Sequence, residues 1–169
     1  MMRSQRGFTL VEMMTVIAIV GVLVAVAFGV DNRTYGATAQ SASDQITQTM
    51  SFARMRASAT RRTHRVQVEP MQLSVWQATT TGLAAPTAWQ QIQVVTMPKG
   101  VTLWNAQTGA LAGSGASPAQ NASLVFPIDF RPDGQATAAT VFVADNSAAG
   151  KYRVLVYHAT GGSYARQYW

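Results

Sequence analysis

The chain has 169 residues, of which 13 are basic and 7 acidic, and a formal net charge of +6. Apolar residues make up 48% and charged residues 12%, a balance that excludes wholesale disorder and suits one ordinary domain. Cysteine is absent, which removes disulfide frameworks, thiolate metal sites and cysteine nucleophiles together.

The apolar content is unevenly spread. Residues 1–7 are short and cationic, with Arg3 and Arg6, and the stretch from Phe8 to Val30 then contains one acidic residue, Glu12, and no Lys, Arg or Pro. As a helix this stretch spans about 35 Å, enough to cross a hydrocarbon core of about 30 Å. It is too long for the apolar part of an ordinary secretory signal, and no convincing small-residue cleavage site follows it. With the cations before it, the positive-inside rule keeps the N-terminus cytoplasmic and exports everything after Val30. Such an anchor excludes a simple soluble enzyme. Glu12 is the anomaly, because a carboxylate inside a bilayer-spanning helix costs on the order of 2–3 kcal/mol. Either it snorkels to the cytoplasmic interface or it takes a cation from elsewhere, since no Lys or Arg stands between Glu12 and Arg33.

Asp31-Asn32-Arg33 marks the far interface, and helical periodicity then resumes. Ala39, Ala42, Ile46, Met50, Ala53 and Ala57 fall on one face, while Gln40, Ser43, Asp44, Gln48 and Ser51 fall mostly off it. The stripe is alanine-rich, suited to close packing on a sheet, and predicts a helix to about Thr60. Gly29 and Gly36, each costing about 1 kcal/mol in a helix, place an expected break or bend near residues 29–36.

From Thr63 the pattern changes to alternation. Strands are predicted at Val66–Val68, Leu73–Trp76, Gln90–Val95, Val101–Trp104, Leu124–Phe130, Ala139–Ala144, Tyr152–His158 and Tyr164–Trp169. Glu69-Pro70 reads as a turn, Thr79–Thr87 as a short loop and Asn105–Asn121 as a long one. The expected class is α+β, a long N-terminal helix, transmembrane in its first half, packed on a C-terminal antiparallel β-sheet domain of about 7–8 strands. In segments, this reads as a leader over 1–7, a transmembrane helix over 8–30, its periplasmic continuation over 31–62 and a β-rich domain over 63–169.

Arg6-Gly7-Phe8-Thr9-Leu10-Val11-Glu12 and the apolar helix after it resemble the class III leader of type IV pilins and pseudopilins. The resemblance implies that a prepilin peptidase cuts between Gly7 and Phe8 and methylates the new N-terminal Phe8. It also gives Glu12 a partner, the α-amine of Phe8 on a neighbouring subunit, and the pair would set the axial register between subunits. Phe130-Arg131-Pro132-Asp133-Gly134 resembles the F-x-P-D-G turn of the GspH/FimT branch of pseudopilins and minor pilins, with Asp133-Gly134 as a tight hairpin turn. Tyr152–His158 and Thr160-Gly161-Gly162 fit the C-terminal pattern of that branch.

Together these resemblances imply a minor pseudopilin or minor pilin that primes or caps a type II secretion pseudopilus or a type IV pilus. Its partners would be other major and minor pseudopilins or pilins, the prepilin peptidase, the inner-membrane assembly platform and inner-membrane lipid. It would sit in the bacterial inner membrane with its C-terminal domain periplasmic, and then in the filament. The alternative is a DNA-binding minor pilin serving DNA uptake.

No catalytic constellation is present, so an enzyme, a cofactor and a metal site are not expected. The two histidines, His64 and His158, are far apart and read as solvent-facing strand residues, and Gly113-Ser114-Gly115 reads as loop spacing. Arg54, Arg56, Arg61, Arg62, His64 and Arg65 form a basic cluster that serves either the dipole at the helix C-terminus or contact with phosphate. Some FimT members carry G-R-x-R in the last strand for DNA capture; here Gly161-Gly162-Ser163-Tyr164-Ala165-Arg166 has one arginine. The candidate DNA contacts are Arg61, Arg62, Arg65, Arg153 and Arg166. Tyr164, Tyr168 and Trp169 would either stack on bases or close a sheet or subunit interface.

Overall fold

The computed structural model describes residues 10–110, 118–146 and 150–169, with side chains from 10 to 21 and from 38 onward. The expected leader, Phe8 and the Gly113–Gly115 spacer lie outside the described residues. The elements in chain order are α1 (Leu10–Thr60), β1 (His64–Glu69), β2 (Gln72–Ala78), β3 (Trp89–Thr96), β4 (Val101–Thr108), β5 (Phe126–Phe130), β6 (Ala139–Asp145), β7 (Lys151–Val156) and β8 (Ser163–Gln167). The chain divides into two compact units, residues 1–34 and 35–169.

In the first unit, the described part of α1 runs from Leu10 and includes Glu12. Among the described residues no helix is long and apolar enough to cross a membrane. The described side chains of this unit end at Gly21, so much of the span expected over 8–30 lies outside them. The helical assignment runs unbroken through Gly29 and Gly36, where the sequence predicts a break or bend. Two glycines cost about 2 kcal/mol in helix propensity, which good helix formers on either side can offset.

In the second unit, the predicted stripe is the buried one: Ala39, Ala42, Ile46, Met50, Ala53 and Ala57 are all fully buried. Ser43 and Thr49 share that burial because their hydroxyls bond back to the helix, to the carbonyls of Gln40 (2.7 Å) and Gln45 (2.8 Å). The helix stops after Thr60, where Arg61 takes a left-handed conformation (φ 53°) and its carbonyl accepts a hydrogen bond from the Gly82 amide at 2.7 Å.

The eight strands form two antiparallel four-stranded sheets, in the orders β3-β2-β1-β5 and β4-β6-β7-β8. One core joins the helix stripe to Val66, Val68, Leu73, Val75, Ile128 and Phe130 of the first sheet and to Val101, Leu103, Val141, Val143, Val154 and Val156 of the second. Each fully buried large apolar side chain here contributes about 1.5–3 kcal/mol.

Two expectations need correction. The predicted loop at Asn105–Asn121 begins later, because Asn105–Thr108 pair with Phe142–Ala139 and extend β4 to Thr108. The turn at Asp133-Gly134 exists, but it does not join paired strands. The Arg131 amide donates to the Gln135 carbonyl (2.8 Å), and one isolated bridge, Phe130 to Ala136, closes it. The chain then crosses to the second sheet, where β6 already has β4 on one side and β7 on the other.

Candidate functional site

Glu12 lies in a helical stretch whose large apolar side chains are exposed. The large apolar side chains from Leu10 to Val20 are 51–77% exposed, all around the helix, and Thr15 Oγ1 is satisfied locally by the carbonyl of Val11 at 2.6 Å. A helix apolar on every face belongs in lipid or among other helices. Gly7 and Phe8 lie outside the described residues, so the geometry of the expected cleavage bond is not part of this site.

The basic cluster resolves into residues of different kinds. Arg54 and Arg56 are exposed on α1, with the Arg56 guanidinium 5.6 Å from the centre of the Phe52 ring. Arg61 is exposed at the helix end, and Arg62 is half-buried beside it. Arg65 is committed elsewhere: its Nε and Nη2 donate to the two carboxylate oxygens of Asp129 on β5, at 2.7 and 2.9 Å. The same guanidinium lies 4.2 Å from the centre of the Trp89 ring. The bidentate bond to Asp129 holds the Arg65 pKa above its usual value.

His64 departs from expectation. It is fully buried, and Nδ1 lies 3.0 Å from the carbonyl of Arg62, which makes Nδ1–H the donor. Burial, followed by the positive charges of Arg56 and Arg62, pushes its pKa below the ordinary 6.5, although the bond to the Arg62 carbonyl opposes this. The ring is therefore neutral at pH 7, and it is a core residue. The signal was in the strand's parity, since His64 shares its face with Val66 and Val68. His158 is exposed, in the turn after β7 rather than in a strand.

Of the two arginines on the second sheet, Arg153 is 4% exposed and so is withdrawn from any surface contact. Arg166 is exposed on the edge strand β8, directly across from Arg153 in the ladder. Arg61, Arg62 and Arg65 are thus brought to one end of α1 and β1, and Arg153 and Arg166 are brought together on β7 and β8. An open groove of about 900 Å³ runs past Arg166, Tyr164, Tyr157 and His158, with the two tyrosine rings edge to face at 5.7 Å.

The outer face of the second sheet carries a second apolar layer that the sequence did not announce. Trp169 stacks on Phe142 (centroids 5.1 Å apart) and meets Trp104 edge to face (6.0 Å). Trp104 Nε1 donates to the carbonyl of Pro118 at 2.9 Å, which ties the loop over the same face. Of the two roles open to Trp169, closing the sheet is the one its ring performs, while Tyr164 and Tyr168 remain exposed.

Comparison with known proteins follows the same lines. A family model described as a prokaryotic N-terminal methylation motif matches residues 2–28, and one described as type II transport protein GspH matches residues 42–161. Two structures of the minor pseudopilin EpsH of the Vibrio cholerae type II secretion system are similar, each at 16% identity. One covers 79% of this chain and 94% of that one with a TM-score of 0.53, the other 76% and 94% with 0.52. The type IV minor pilin FimU of Pseudomonas aeruginosa is matched at 18% identity over 75% of this chain and 87% of that one, with a TM-score of 0.48. No curated protein sequence matches the chain. At these identities the structural likeness to EpsH is one of fold. With the methylation motif at its N-terminus and the second family model spanning well over half of its length, the chain belongs to the GspH family of pseudopilin-like type II transport proteins.

Proposed function

We propose that this chain is a minor pseudopilin or minor pilin, a structural subunit that primes or caps a filament after its leader is removed between Gly7 and Phe8. The observation that carries this reading is the contrast between the two units. The core of the second unit is built from residues between Ala42 and Val156, on the C-terminal part of α1 and the two sheets. The first unit exposes every large apolar side chain described from Leu10 to Val20. Such a helix holds the subunit in the inner membrane and is then transferred to a bundle of like helices, where head-to-tail contacts build an open filament. In that bundle Glu12 neutralises the N-methylated amine of a neighbour's Phe8, and a buried ion pair replaces two separate charges in an apolar medium. The periplasmic sheets then present the subunit's own surface to the neighbouring subunits.

The test is substitution of Glu12 by alanine. Membrane insertion should be retained and recovery of the chain with its filament lost; normal recovery would remove the pairing. DNA capture finds less support, because Arg153 is buried and Arg65 is held by Asp129; of the other candidates, Arg61 and Arg166 are exposed and Arg62 is half-buried.

A further inference from the structure

The first sheet has two faces, and alternation sorts its residues between them. Val66, Val68, Leu73 and Val75 point into the core shared with the helix stripe, and Gln93 and Val95 border α1 beside Phe52. Arg65, Gln67 and Glu69 of β1, with Gln72 and Trp76 of β2, therefore point the other way, away from α1. The ladders extend this outer face: Asp129 pairs with Arg65, Gln91 with Trp76, and Trp89 with Ala78.

Two tryptophans stand on this face, both half-buried. Trp76 pairs with Gln91, so Trp89 lies one strand over and two residues along, a diagonal of about 7–8 Å. Trp76 Nε1 is inaccessible and has no hydrogen-bond partner, so what this ring shows to solvent is carbon. The Arg65 guanidinium lies over Trp89 and is fixed there by its two bonds to Asp129. The amides beside them are held as well: Gln67 Nε2 donates to Glu69 Oε1 at 2.8 Å and Gln72 Nε2 to Glu69 Oε2 at 2.5 Å. No lysine occurs on any strand of this sheet.

We propose that this outer face binds an uncharged β-1,4-linked glucan, stacked on Trp76 and Trp89 and hydrogen-bonded by Gln67, Gln72 and Gln91. Aromatic carbon set among fixed amides is complementary to a pyranose, whose C–H faces stack on rings and whose hydroxyls both donate and accept. The charges select an uncharged polymer. The one cation on the face, Arg65, is bonded to Asp129, and Glu69 adds a second carboxylate, so a phosphate or uronate polymer is repelled. An open sheet face suits a chain lying along it rather than a small sugar enclosed in a cleft. The β-1,4 linkage keeps that chain extended with its C–H faces outward, so adjacent rings meet the two tryptophans in turn. Because α1 packs on the opposite side of the sheet, the site is open whether the subunit is in the membrane or in a filament. It is independent of the assembly role.

The test is retention of the full chain, solubilised in a sugar-free zwitterionic detergent, on microcrystalline cellulose at low and high salt. Retention is expected at both salts, with release by soluble cello-oligosaccharides. Trp76→Ala and Trp89→Ala should each weaken it roughly tenfold. Gln90 and Gln91 supply a control that leaves the core untouched, since both are exposed and they point to opposite faces of β3. Gln91→Ala should weaken retention about threefold, the loss of one hydrogen bond, and Gln90→Ala should leave it unchanged. No retention on cellulose, release by salt alone, equal effects of Gln90→Ala and Gln91→Ala, or stronger retention on peptidoglycan sacculi or immobilised DNA would each overturn the proposal.

Discussion

Gly161 and Gly134 touch: a methyl group on Gly161 would stand 2.8 Å from the carbonyl oxygen of Gly134. These glycines belong to the two short motifs, Pro132-Asp133-Gly134 and Thr160-Gly161-Gly162, that lie far apart in sequence and carry the family resemblance of the C-terminal half. Both have positive φ, 88° at Gly134 and 58° at Gly161, but only Gly161 is also crowded, by the Gly134 carbonyl, with Arg54 Cδ and Ala136 Cβ at ordinary contact distance. The two turns are therefore one packed corner beside α1, further tied by the Ala136 amide donating to the His158 carbonyl at 2.9 Å.

Gly134→Ala is expected to cost about 1 kcal/mol, the strain of a left-handed alanine with open space around it. Gly161→Ala adds a backbone clash and is expected to cost about 2 kcal/mol or more. Denaturant unfolding of the two purified variants checks the order; equal losses would mean that the contact between the turns contributes nothing.

Arg65 and Asp129 tie β1 to β5 across the first sheet, and the guanidinium also covers Trp89. Both partners of the ion pair are about one third exposed, so solvent screening limits their coupling to about 1 kcal/mol. Arg65→Lys keeps the charge but loses the two-pronged geometry and the flat contact with the ring. A double-mutant cycle with Asp129→Asn is expected to give a coupling of that size, and Arg65→Lys should not restore it.

His64 gives the fold a pH dependence with a definite sign. Its pKa is lowered in the folded state from 6.5, so between the two values the unfolded chain binds more protons. Stability from this group is full above pH 6.5 and is lost as pH falls toward the folded value. Thermal unfolding at pH 7.5 and pH 5 should show a loss in the native chain, and His64→Leu should lack that part of it. An equal loss in both would mean that other groups govern the acid limb.

Trp169 covers Phe142 on the outer face of the second sheet, and Tyr168 reaches the left-handed region (φ 64°) to bring it there. Trp169→Ala is expected to cost about 2 kcal/mol by uncovering that layer, with loss of near-ultraviolet dichroism from the Trp104–Trp169 pair. Unchanged stability would return Trp169 to the role of a surface aromatic.

What was legible in the sequence had a period. The stripe from Ala39 to Ala57 repeats every three or four residues and is the buried face of the helix; all eight strands alternate or run apolar, and all eight occur. The partition into two sheets was hidden, because which strand pairs with which depends on contacts far apart in the chain, and Asp133-Gly134 looks the same whether the strands beside it pair or part. Arg153 misled for a related reason. Its face of β7 is that of Leu155 and, across the ladder, of Phe142, the face on which Trp169 stacks. His64 was readable by parity with Val66, but a histidine among five arginines draws the eye to charge before alternation.

The most direct measurement is mass spectrometry of the N-terminal peptide of this chain recovered from the sheared filament or pseudopilus fraction of native cells. The expected peptide begins at an N-methylated Phe8. A chain still beginning at Met1, or one missing from the assembled fraction while its filament is present, would contradict the assignment of leader, anchor and assembly role together.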